Sequence, residues 1–380
     1  MSLHGMKQIR PMSNYEYLSL NRTHENQICE FYGTAAKAGS IRFSLCRDPL
    51  FFDALAVEGD EPEVFVMRKK DNLEIMGSVI TSKKLCFVSS GKISLGYLSS
   101  LRLSEQYRNR LLGFYAKAYY QHQHENKRLI SLITIFENNE IARKNLLTGK
   151  GYLPLFMDLG LIRTRIFKPV PIRTGNFKNS DIIIRSAEKA DLSQIIDFIN
   201  EYGRRKTFFP VYEAEHFNSE SGLLKHLKIE DFAVAFNKNK LTGLIGLWDQ
   251  TSFRYWKIHS YSKTINLLKP VINIASWLSG KPTFPSAGVK INYRNLALVC
   301  IKNDDRMVFN SLLNHHFKNM SGMKKVYLAY AMHESNPFFN SFPVTGIDLK
   351  SRLFLTYWKE DEALVSSIKL GEIYIETGAI

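Results

Sequence analysis

The sequence predicts a mixed α/β (α+β) sheet fold that is built twice in tandem, the second copy degenerate. Three observations carry that prediction. From Gly96 to Tyr152 the pattern runs strand, short basic stretch, helix, strand, helix. After a proline-, lysine- and asparagine-rich stretch near residue 170 the same kind of pattern starts again. And 380 residues exceed the usual size of one hydrophobic core. The expected divisions are a first domain over 1–168, a linker over 169–180 and a second domain over 181–380.

Taken in order, the chain offers a possible first strand before Asn21. A helix follows, with Thr23 as its cap, running to Lys37 before Gly39. A short helical stretch spans Ser44 to Ala56. Gly59-Asp60-Glu61-Pro62 reads as a turn. Val64 to Met67 and Leu73 to Ile80 form a hairpin, continued by Leu85 to Val88. Gly96 to Leu103 is the central strand, and its alternation falters at Ser99 and Ser100 as it does where a strand bulges. Arg108-Asn109-Arg110-Leu111-Leu112-Gly113 then leads into a helix carrying Leu112, Tyr115, Ala116 and Tyr119. The first amides of a helix lack internal partners and favour an anion, and two arginines beside them add charge-assisted bonds. Leu129 to Ile135 is the next strand, and Asn139 and Ala142 open the next helix.

These residues resemble the core motif of the GCN5-related N-acetyltransferases: a strand, then (Gln/Arg)-x-x-Gly-x-(Gly/Ala), then a helix. Arg108 matches the first position and Gly113 the last, while Leu111 stands where the middle glycine is expected. Asn139-x-x-Ala142 ahead of Gly151-Tyr152 matches the family's next helix. The resemblance implies acetyl-CoA as co-substrate, with Leu101, Arg102 and Leu103 meeting the pantetheine through backbone. It implies that Arg108, Asn109, Arg110, Leu111, Leu112 and Gly113 hold the pyrophosphate, with Asn139 on the cofactor side, a place that a helix cap would also explain. Glu137 is the nearest carboxylate by sequence for a general base, and it fits a solvated loop position equally. The family's tyrosine acid would fall at Leu146, so it is missing from that place.

In the second copy the Ile182–Arg185 strand and the Leu192–Ile199 helix restart the pattern, and Leu296 to Ile301 matches the central strand. It runs into Lys302-Asn303-Asp304-Asp305-Arg306, with no glycine and two carboxylates, so no coenzyme A site is expected there. The insert from Ser260 to Asn292 reads either as a lid over the substrate groove or as packing between domains.

The expected activity is direct acetyl transfer from acetyl-CoA to a small-molecule or peptide amine. Leu111 and Leu146 also admit a non-catalytic ligand-sensing or partner-binding protein. The net charge of +15 admits a Fem-like aminoacyl or peptidyl transferase using tRNA. Nucleic acid is not favoured, because no long basic run or aromatic RNA-binding motif occurs. Four scattered cysteines and the lack of an apolar leader set the cytoplasm as the expected location. No metal site and no membrane span are expected, and the oligomeric state is left open.

Overall fold

A computed structural model describes residues 14–33, 36–38, 41–104, 108–125, 129–173, 182–217, 220–323 and 325–380, with the backbone alone at 36–38 and 108–111. The first half contributes β1 (Tyr15–Leu20), α1 (Glu25–Gly33), β2 (Ala36–Ala38), β3 (Ile41–Arg47), α2 (Phe51–Ala54), β4 (Asp60–Lys69), β5 (Ile75–Val88) and β6 (Gly91–Leu103). It continues with α3 (Arg108–Glu125), β7 (Ser131–Phe136), α4 (Glu140–Leu146) and β8 (Leu155–Phe167). The second half contributes β9 (Ile182–Ser186), α5 (Leu192–Gly203), β10 (Phe209–Pro210), β11 (Phe232–Asn237), β12 (Lys240–Trp248), β13 (Arg254–Tyr261) and α6 (Lys263–Leu278). It ends with β14 (Tyr293–Ile301), α7 (Arg306–Asn319), β15 (Tyr327–His333), β16 (Gly346–Tyr357) and α8 (Glu362–Ser367).

Two expectations near the N-terminus need correction. The helix is capped by Asn21 and not by Thr23, which lies in a 3-10 turn over Arg22–His24; α1 ends at Gly33, and 36–38 pairs as a strand with β3. The helical stretch expected from Ser44 begins instead as strand β3, because Ile41, Phe43 and Leu45 alternate with period two. Phe51–Ala54 is α-helical there and continues as a 3-10 helix over Leu55–Glu58.

One sheet runs through both halves in the order β1-β4-β5-β6-β7-β16-β8-β15-β14-β12-β11-β9, with β10 pairing β5. The last strands have changed places. β16, from the second half, lies beside β7, and β8, from the first, lies beside β15. A smaller sheet, β13-β3-β2, again pairs a strand of each half. The only parallel neighbours among the described strands are β6·β7 and β14·β15, and each pair holds for three residues before parting.

Helices cover the faces. Tyr115 and Tyr119 of α3 pack on Phe65, Met67, Val79 and Leu98. Val308, Phe309, Leu312 and Leu313 of α7 pack on Ala233, Ile245 and Leu296 in the equivalent place. Full burial of each such Leu or Phe contributes about 1.5–3 kcal/mol, which fixes both helices against their central strands.

Candidate functional site

The central strand of the first half is bulged. Ser78 pairs with Arg102 and Ile80 with Ser99, so Val79 alone faces both Ser100 and Leu101. Ser100 sits at φ 53, a conformation that L-residues rarely adopt. Two side chains hold it there. Tyr32 donates to the Ser100 carbonyl at 2.8 Å, and Arg47 Nη2 donates to Ser100 Oγ at 3.1 Å. Past Leu98, β6 and β7 no longer pair, and a wedge opens toward the start of α3.

Under the bulge, on the face away from α3, lies a buried charge network. Arg47 Nη2 meets Glu58 Oε1 at 2.5 Å, Arg254 Nη2 lies 3.6 Å from the same oxygen, and Ser99 Oγ donates to Glu58 Oε2 at 2.5 Å. Burial by itself would raise the Glu58 carboxyl, but Arg47, Arg254 and Ser99 together hold it below the usual carboxylate range. Arg47 Nε and Arg254 Nε are buried without a hydrogen-bond partner among the described residues. Arg254 also donates to the Gly378 carbonyl at 2.6 Å and to the Ile380 backbone oxygen at 3.0 Å, so the network reaches the C-terminal segment.

Beside the network is a cavity of about 50 Å³, lined among others by Lys84, Cys86, Gly96, Tyr97, Glu376 and Ile380. Burial lowers the pKa of Lys84 and raises that of Glu376, moving both toward neutrality, and pushes the Cys86 thiol up to about 12. Lys84 Nζ donates to the Val57 carbonyl at 3.4 Å.

The second half repeats the bulge and fills it. Leu244 pairs with Cys300 and Gly246 with Ala297, leaving Ile245 opposite Leu298 and Val299, with Leu298 at φ 47. Here the Leu298 amide donates to Glu376 Oε2 at 3.0 Å. Thr377 Oγ1 accepts from Ala331 N on β15 at 3.0 Å, so the C-terminal segment lies in the second wedge. Gly378 must be glycine there, since a Cβ would stand 2.4 Å from the Trp248 ring. At the head of α7, Asp305 Oδ1 accepts from Met307 N at 2.8 Å and Val308 N at 3.3 Å, taking the amides that an anion would use.

The residues singled out from sequence fall as follows. The side chains of Arg108, Asn109, Arg110 and Leu111 lie outside the described residues. Their backbone is already helical, and α3 begins at Arg108, so the expected loop over Arg108–Gly113 is the first turns of the helix. Without a glycine at 111, Leu111 and Leu112 continue a helix readily. Gly113 is exposed inside α3. Leu101 packs against the α3 side, Leu103 is buried, and Arg102 Nη1 donates to the Phe31 carbonyl at 3.0 Å. Asn139 caps α4, accepting from Ala142 N at 3.1 Å. Glu137 follows β7, its amide bonded to the Lys350 carbonyl at 3.0 Å. No sequence motif marks Glu58, Arg47, Arg254 or Lys84. The only hint was a glutamate set in the apolar run Leu55-Ala56-Val57-Glu58.

The bulged strand, the wedge that opens after three parallel pairs, and the helix that starts at its mouth belong to a fold that this chain shares with solved N-acyltransferase structures. Among solved structures, Saccharomyces cerevisiae N-myristoyltransferase with bound myristoyl-CoA is similar at a TM-score of 0.55 and 11% identity, covering 92% of this chain and 80% of that one. A GCN5-related N-acetyltransferase from Kribbella flavida is similar at a TM-score of 0.50 and 9% identity, covering 90% of this chain and 70% of that one. No protein-family model and no curated protein matches the sequence.

Proposed function

We propose that the protein is an N-acyltransferase that takes its acyl group from a coenzyme A thioester bound in the first wedge and passes it directly to an amine. The observation that carries this is the contrast between the wedges: the second is filled by Glu376 and Thr377, whereas in the first the strand that leads to the bulge lines a cavity through Gly96 and Tyr97. The similar structures include an N-myristoyltransferase with its acyl-CoA bound, which favours a thioester donor. A cavity of about 50 Å³ suits an acetyl group, so acetyl-CoA is the expected donor and a small molecule or peptide the expected amine carrier.

The amine nitrogen forms a bond to the thioester carbonyl carbon, the C–S bond breaks, and coenzyme A leaves as thiolate. The bulge at Ser100 offers backbone N–H groups to the developing oxyanion, and holding both reactants in one wedge supplies much of the rate. The amine must shed a proton. Lys84 lines the cavity and has a depressed pKa, so its neutral amine takes that proton and returns it to the thiolate. Glu137 stands four residues beyond Ile133, the last β7 residue paired with β6, and so nearer the mouth of the wedge.

Calorimetry with acetyl-CoA and myristoyl-CoA, followed by turnover with a panel of amines, tests the reading. Binding of neither donor would end it, and tight binding without turnover would leave a ligand sensor in its place. Because neutral Lys84 is required, the rate should climb with pH through a value below that of ordinary lysine. Lys84→Met should abolish that limb, and Glu137→Gln should leave it unchanged.

A further inference from the structure

Helix α6 presents its apolar side to water. Leu267 is 81% exposed, Trp277 69% and Leu278 73%, and Leu268, Val271 and Ile274 are exposed as well. At 3.6 residues per turn these six fall within one half of the helix circumference. The opposite side, which meets the protein, is held by polar groups. Lys269 Nζ donates to the Pro285 carbonyl at 2.6 Å, and Asn273 exchanges two hydrogen bonds with Phe284, at 3.2 and 2.7 Å. A surface helix of a soluble protein ordinarily has the reverse arrangement. Neither lid closure nor packing between the halves accounts for a hydrophobic face turned outward, and a continuous apolar patch of this kind marks an interaction site.

The charge around the helix identifies the partner. The 54 residues from Gln250 to Asn303 contain eight lysines and arginines and no aspartate or glutamate. Lys263 and Lys281 stand exposed at the two ends of α6. A second copy of the chain would bring a patch of the same sign. An anionic lipid surface offers both what the apolar face needs and what the lysines need.

We propose that α6 docks the protein onto anionic membranes. The helix lies in the plane of the interface, with Leu267, Val271, Ile274, Trp277 and Leu278 among the acyl chains and Lys263 and Lys281 at the lipid phosphates. At 16 residues and interrupted by Pro270, it lies on the bilayer; among the described residues no helix is long and apolar enough to cross one. Membrane docking requires nothing of the acyl-transfer chemistry, and its test is independent of it.

The full chain is mixed with phosphatidylcholine vesicles, with and without phosphatidylserine, and sedimented. The protein should pellet with the serine-containing vesicles, less so at high salt, and its tryptophan emission should shift to the blue. Leu267→Glu with Trp277→Glu should weaken vesicle binding by at least about tenfold while leaving the thermal melting curve in place, since both side chains are largely exposed. The proposal is overturned if the wild-type chain stays in the supernatant, or if the double variant binds as well as the wild type. It is overturned equally if light scattering shows a dimer that the double variant dissolves, because the apolar face is then covered by a second copy.

Discussion

The two halves share a backbone device and treat it in opposite ways. In the first, the bulge at Ser100 is braced from beneath by Arg47 and an ionised Glu58, and a cavity lies alongside. In the second, the bulge amide at Leu298 is spent on Glu376, and the helix head behind it is spent on Asp305. A duplicated fold thus keeps its architecture while one copy gives the backbone groups of its bulge and helix head to its own side chains.

The sharpest way to test this contrast is the same substitution at both carboxylates. Glu58→Gln leaves Arg47 and Arg254 buried without their counter-charge and should cost about 3–5 kcal/mol of unfolding free energy. Glu376→Gln changes a group that burial already pushes toward its neutral form and misplaces one hydrogen bond, which should cost about 1–3 kcal/mol. Equal losses in urea titrations would erase the distinction.

Acid should separate the halves next. Ten residues into α7 stands buried His316, bonded to the Ile245 carbonyl, where ten residues into α3 stands Ala118. Burial pushes His316 down to about 4. Between about pH 6.5 and that value the unfolded chain binds the extra proton, so stability falls as pH drops across the window, by about 3 kcal/mol in all. His316→Gln should flatten this slope in pH-dependent denaturation.

A smaller effect is expected at the helix heads. Arg108→Glu with Arg110→Glu should reduce acyl-CoA affinity by at least tenfold, about 1.4 kcal/mol, whereas Lys302→Glu with Arg306→Glu should leave it alone. The smallest is Asp305→Ala, which removes a helix cap worth about 1 kcal/mol and should not create a second binding site in calorimetry.

Much of the scaffold was legible because it depends on local periodicity. The faltering alternation at Ser99 and Ser100 does mark a bulge, and the strands before and after α3 fall close to where their patterns place them. The exchange of β8 and β16 was not legible, since a strand's own residues do not say which neighbour it will take. The network beneath the bulge was hidden for a related reason. Arg47, Glu58 and Arg254 come from the end of one strand, the end of a short 3-10 helix and the start of another strand, up to about two hundred residues apart, and nothing periodic joins them. The outward face of α6 was hidden too, because an apolar stripe in sequence is the same whether it faces the core or the solvent.

The crossing of β8 and β16 has one more consequence. Each half is completed by a strand that the other half supplies, so the halves are clasped and share no hinge about which they could swing apart. A nick between 168 and 173 should therefore leave two fragments that still migrate as one particle.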